Sequence, residues 1–93
     1  MVGRIAPPAV IRGGIPLAGS ARSYRLQVGA FAIPRNAVDV FDRLKAAGLN
    51  PAYERYGDLY RVVLPGLRAT DIQPIAQILG NAGFTEALLR EEN

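Results

Sequence analysis

The chain has 93 residues, no Cys and no His, and a formal net charge of +3. That length holds one small domain with little room for a water-excluded cavity, and the missing residue types remove disulfides, thiolate metal sites and the commonest neutral-pH base. Arg4, Arg12 and Arg22 precede Tyr24 with no acid among them, whereas from Tyr24 onward eight basic residues face eight acids, so the domain itself lacks the basic excess that nucleic-acid binding wants.

Residues 1–23 are rich in Pro, Gly, Ala and Arg and read as a flexible interdomain linker, with a lesser option that Ile11 or Ile15 packs on the domain edge. Pro7, Pro8, Gly13, Gly14 and Pro16 interrupt any signal-peptide core. Met1 placed directly before such a segment suggests an excised fragment with an added start. No stretch has the apolar length of a membrane span, so no membrane insertion of this segment is expected.

Residues 24–31 alternate as a strand, with Tyr24, Leu26, Val28 and Ala30 on one face and Arg25, Gln27, Gly29 and Phe31 on the other. Ala32 to Arg35 form the turn. Asn36 is the expected N-cap of a helix that carries Ala37, Val40, Phe41, Leu44 and Ala47 at helical spacing, with Asp39 in its first turn and Gly48 as its stop. Residues 49–56 contain a second strand. Gly57-Asp58 is a two-residue hairpin signal; a loop of those two residues sets Tyr56 opposite Leu59 and Glu54 opposite Arg61, and a one-residue slip would invert the faces. A third strand runs from Leu59 to Leu64 and ends at Pro65-Gly66. Thr70 to Gln73 read as a capping box for a second helix with Ile72, Ile75, Ala76 and Leu79 inward and Gly83 as its stop. Residues 84–90 make the last strand, and Glu91 to Asn93 a frayed end.

The two halves repeat one plan. Tyr24, Arg25 and Leu26 align with Tyr60, Arg61 and Val62, and, one residue on, Leu44 and Gly48 align with Leu79 and Gly83. The β-α-β-β-α-β order predicts an α+β, ferredoxin-like sandwich: a four-stranded antiparallel sheet with two helices on one face and the other face open. The first and third strands are then central. Fold alone does not assign a function.

The open face restricts the chemistry. An RNA-recognition domain of this topology stacks bases on aromatics of its central strands, and the matching positions here are Arg25, Gln27, Gly29, Leu59, Arg61 and Val63, none of them aromatic. Heavy-metal domains of this fold need a Cys pair. Acylphosphatases share the topology, but their phosphate-cradling loop is not reproduced. With no His and no Cys, nucleophilic catalysis has little to work with, so no enzyme activity and no cofactor are expected. An ACT-like small-molecule regulatory or protein-interaction domain of the same topology stays open as the alternative.

The strand Tyr24-Arg25-Leu26-Gln27-Val28-Gly29-Ala30-Phe31, then Asn36-Ala37, Leu44 to Gly48, the Leu59-Tyr60-Arg61-Val62 strand and Leu79 to Gly83-Phe84 together resemble a SPOR (sporulation-related repeat) domain. The likeness covers Tyr24 to about Arg90. What it implies is a non-catalytic module of the bacterial envelope that binds peptidoglycan glycan strands stripped of stem peptides, a polymer abundant at division septa. The layout is similar to the rare-lipoprotein-A group, in which a double-psi barrel domain precedes a terminal SPOR domain. Positions that line the groove in the family match Gln27, Ala30, Leu59 and Phe84. Ala30 lacks the usual hydroxyl and Leu59 the usual ring, a gap that Tyr56 stands close enough to fill. Arg25 and Arg61 suit the lactyl carboxylate of muramic acid. The expected glycan-binding set is therefore Arg25, Gln27, Gly29, Ala30, Tyr56, Leu59, Arg61 and Phe84, on a monomeric domain spanning residues 24–93. Four of them have a structural alternative: Gln27 satisfying a backbone group, Arg61 pairing only with Glu54, Phe84 in the core, and Gly29 allowing close backbone approach.

Overall fold

A computed structural model describes residues 6–92. Met1, Arg4 and Asn93 lie outside the described residues. The elements are β1 (Val10–Arg12), β2 (Ser23–Phe31), α1 (Pro34–Ala46), β3 (Ala52–Tyr56), β4 (Leu59–Arg68), α2 (Ile72–Asn81) and β5 (Glu86–Glu91). A 3₁₀ turn over Ala69–Asp71 leads into α2.

The strands form one sheet in the order β1-β5-β2-β4-β3. The last four are antiparallel neighbours in the split-βαβ order, with β2 and β4 central. The expected four-stranded antiparallel sheet is corrected by β1, which pairs parallel to β5 and makes the sheet five-stranded and mixed. This strand lies inside the stretch read as a linker. The Ala9 amide donates to the Ala76 carbonyl at 2.9 Å and the Val10 amide to the Thr85 carbonyl at 2.8 Å. Ala9 and Ile11 are buried in the core.

Both helices cover one face of the sheet. The core joins Leu26 of β2, Val62 and Leu64 of β4 and Ala87 of β5 to Ala37 and Leu44 of α1 and Ile72, Ala76 and Leu79 of α2. Burying each large side chain contributes about 1.5–3 kcal/mol. Gly48 and Gly83 take φ of +87° and +94° and stop the two helices. The following amides, of Leu49 and Phe84, return to the carbonyls of Leu44 and Leu79 at 3.1 and 2.9 Å.

Several local expectations shift. The first helix starts at Pro34 with Ile33 as N-cap, so Asn36 and Asp39 sit further inside it than expected. Proline at the first helical position needs no amide donor, and its fixed φ suits the turn. Thr70 does not cap α2; the turn before it is closed by the Arg68 amide donating to the Asp71 carboxylate at 2.8 Å. β4 runs past Pro65-Gly66 to Arg68 through a register shift against β2. The C-terminal segment is tied rather than frayed at Glu92, whose amide donates to the Ser23 carbonyl at 2.8 Å.

Candidate functional site

The open face is set by the hairpin. Gly57, at φ +58°, makes the tight turn, and Tyr56 pairs with Leu59 and Glu54 with Arg61, the register expected from Gly57-Asp58. On β2, Arg25 pairs with Arg90 of β5, and Gln27 lies between Leu88 of β5 and Val63 of β4. A bulge between Gln27 and Gly29 then reverses the alternation. Past it, Ala30 stands beside Arg61 on the open side and is exposed, whereas Phe31 turns onto the core.

This bulge corrects the face expected for one site residue. Gly29 stands on the side of Phe31, and a Cβ there would meet the Phe31 ring at 2.5–2.6 Å. Having no side chain, Gly29 leaves room for that ring. Phe84 is corrected too. It precedes β5, packs against the helix-side core, and lies under the Arg43 guanidinium at 4.3 Å. Arg43 in turn donates to the Ala82 carbonyl at 2.7 Å. Phe84 therefore closes the ends of the helices on the face opposite the groove.

The remaining expected residues share the open face. At its centre, three guanidinium groups from three strands converge on one carboxylate. Glu54 accepts from Arg61 at 3.0 Å and from Arg90 at 2.6 Å, and it pairs with Arg25. Arg25 also bridges to Glu92 at 2.9 Å. The side chains reach across the sheet, and Val63 beneath them is 1 % exposed although it lies outside the helix-side cluster. The Arg90 hydrogen bond, with further ones from Arg61 and Arg25, outweighs desolvation and holds the Glu54 carboxyl down at about 2. Three arginines against Glu54 and Glu92 leave the network one positive charge in excess. The buried Nε of Arg90 has no hydrogen-bond partner among the described residues.

Toward the hairpin end, the Arg61 guanidinium lies over the Tyr56 ring at 3.8 Å. Tyr56 and Leu59 are 61 % and 36 % exposed, an apolar surface beside the charged centre. On the other flank, the Gln27 side-chain amide makes no hydrogen bond among the described residues, so its donor and acceptor both remain available. Among the described residues, no group of three Asp, Glu, His or Cys side chains could hold a metal ion, and no helix is long and apolar enough to cross a membrane.

Glu54 as the hub, and Arg90, Leu88 and Arg12 as members of the face, were not read from the sequence. The period-two signal Leu88-x-Arg90 was present. The strand begins only at Glu86, so its face residues are Leu88 and Arg90 and Phe84 lies before it.

An α+β domain with one face sealed by helices and the other left as a shallow polar, arginine-centred surface defines a binding module. The chain belongs to the SPOR domain family, whose model matches residues 20–87. It is similar in structure to the peptidoglycan binding domain of the B. subtilis cell wall lytic enzyme CwlC, at 25% identity and a TM-score of 0.66, over 84% of this chain and 99% of that one. The Spor protein DedD shares the fold at 14% identity and a TM-score of 0.55, over 75% of this chain and 39% of that chain. No curated protein matches the sequence.

Proposed function

We propose that this domain binds peptidoglycan through its open face, without catalysis, and that it selects glycan strands from which the stem peptides have been removed. It thereby holds its parent protein at the cell wall outside the cytoplasm, above all at the division septum. The observation that carries this reading is the convergence of Arg25, Arg61 and Arg90 on an open sheet beside the unpartnered amide of Gln27, in a chain of the SPOR family. A bare glycan strand offers the matching chemistry. Its lactyl carboxylates take charge-assisted hydrogen bonds from guanidinium groups, its hydroxyls and amides pair with Gln27, and its sugar faces rest on Tyr56 and Leu59. A stem peptide would occupy the lactyl carboxyl as an amide, so only the stripped strand offers the arginine centre a charged carboxylate. A monomer leaves this face free for the strand.

The test is a pull-down on purified sacculi, intact and amidase-treated, with wild type and Gln27→Ala. Binding should rise on amidase-treated sacculi and fall at least tenfold in the variant, whose melting temperature should match wild type. Absence of binding to both preparations would sink the glycan reading. Equal binding to both would remove the preference for bare strands and leave general wall binding.

A further inference from the structure

The arm before the family's matched residues changes the binding face. It is fixed at several points. The Gln77 side chain donates to the Ala6 carbonyl at 2.7 Å, the Ala9 and Val10 amides bond to Ala76 and Thr85, and the Pro7 backbone lies against Gly80 where a side chain would have no space. β1 is thus a built part of the sheet. Neighbouring strands lie about 4.8 Å apart, so β1 widens the open face by about that much.

The added strand also completes a cleft. Pairing between β2 and β5 stops at Gln27–Leu88, because the β2 bulge turns the chain away. β5 continues to Glu86, paired on its other side with β1. The notch left between them, about 330 Å³, has Gln27, Val28 and Gly29 on one side and Arg12, Glu86 and Leu88 on the other.

We propose that this cleft is a saccharide subsite that takes the acetamido group of an aminosugar, the next sugar along the strand held at the arginine centre. The inference rests on the glycan reading above. Arg12 donates to the Glu86 carboxylate at 3.0 Å, and their side chains are 67% and 55% exposed. Their charges cancel, so the cleft favours a neutral group, and a carboxylate entering it would face Glu86. It presents donors on Arg12 and Gln27, acceptors on Gln27 and Glu86, and an apolar wall in Leu88, which is 40% exposed. An acetamide carries the complement of all three: one carbonyl, one N–H and one methyl. Carboxylates belong instead to the Arg25–Arg61–Arg90 centre, where positive charge is in excess.

The experiment is an NMR titration of the full 93-residue chain with amidase-released glycan fragments, either N-acetylated or chemically N-deacetylated. With acetylated fragments, resonances of Arg12, Leu88 and the Gln27 side-chain amide should shift together with those of Arg25 and Arg61. With deacetylated fragments the shifts at Arg12 and Leu88 should vanish. Arg12→Ala should weaken binding of acetylated fragments about fivefold, the effect of one net hydrogen bond. Protected Ala9 and Val10 amides in that variant would show the arm still docked. Shifts at Arg25 and Arg61 without any at Arg12 and Leu88 would overturn the subsite and spare the glycan reading. Equal shifts at Arg12 and Leu88 with both fragments would overturn the acetamido assignment. No shift at any residue would overturn the glycan reading itself.

Discussion

Arg61 is held by Tyr56 and Glu54 together: its guanidinium lies 3.8 Å above the Tyr56 ring while its Nη1 donates to Glu54 at 3.0 Å. A planar, delocalised cation is needed for both contacts at once. Arg61→Lys keeps the charge and loses the stacking and the fork of donors. A cation–π contact at such a site is worth about 0.5–1 kcal/mol, so folding stability should fall by no more than about that. Affinity for amidase-treated glycan should drop about tenfold, because a point charge cannot keep one donor on Glu54 and offer others to a ligand. Parallel melting and binding titrations check this. A lysine variant that binds like wild type would mean the face reads charge alone.

Glu54 gives the wild type a particular pH dependence. Its carboxyl titrates at about 2 in the folded chain against an ordinary 4.5. Because the folded value is the lower one, the stabilisation is complete above about 4.5 and is lost as pH falls toward about 2. Glu54→Gln removes the charge and leaves Arg25, Arg61 and Arg90 facing one another. At pH 7 it should destabilise the fold by about 1–2 kcal/mol, between the values for exposed and buried pairs. The gap between variant and wild type should narrow between pH 4.5 and 2. Melting curves across that range that stay equally spaced would show that the arginines do not depend on this carboxylate.

The parts of the fold legible in the sequence were those fixed by local chemistry. Gly57-Asp58 signals a two-residue turn, and that turn sets the register of Glu54, Tyr56, Leu59 and Arg61 on the open face. Gly48 and Gly83 stop their helices because the positive φ there suits glycine alone. What was not legible depends on contacts distant in sequence. β1 is three residues, Val10–Arg12, in Pro- and Gly-rich surroundings, and its partner begins at Glu86. No local period marks so short a strand. Phe84 follows a helix stop and lies before the strand begins at Glu86, so strand alternation does not set its face. Arg90 looks like an ordinary surface charge, and nothing local ties Arg25 to Glu54, until the sheet order brings both within its reach.

The β2 bulge was equally hidden, and Gly29 tests it. Strict alternation sets Gly29 on the open face, whereas the extra residue turns it toward Phe31. Its φ is not positive, so alanine costs nothing in backbone conformation, and the steric effect stands alone. Gly29→Ala should destabilise by about 1–3 kcal/mol as the Phe31 ring is pushed from the core. Combining it with Phe31→Leu should cost less than the separate effects added together, because the smaller side chain clears the Cβ. Simple additivity in the melting data would mean that the two residues do not share that space.

The arm makes a sharper demand at Gly80. This glycine lies within α2, where alanine is ordinarily preferred by about 1 kcal/mol. A Cβ there would overlap the Pro7 carbonyl oxygen and come within 2.9 Å of the Pro8 Cα, both backbone atoms that cannot swing aside alone. Gly80→Ala should therefore release the arm while leaving the helix at least as strong. Hydrogen exchange at the Ala9 and Val10 amides, whose acceptors are Ala76 and Thr85, should speed up by tenfold or more, with the amides of β2 and β4 little changed. Glycan binding should then fall as far as it does in Arg12→Ala, because both changes take Arg12 out of the cleft. If the Ala9 and Val10 amides stay protected in Gly80→Ala, the arm is not held by this close approach. If they are exposed and binding is unchanged, the fifth strand lies beside the groove without contributing to it.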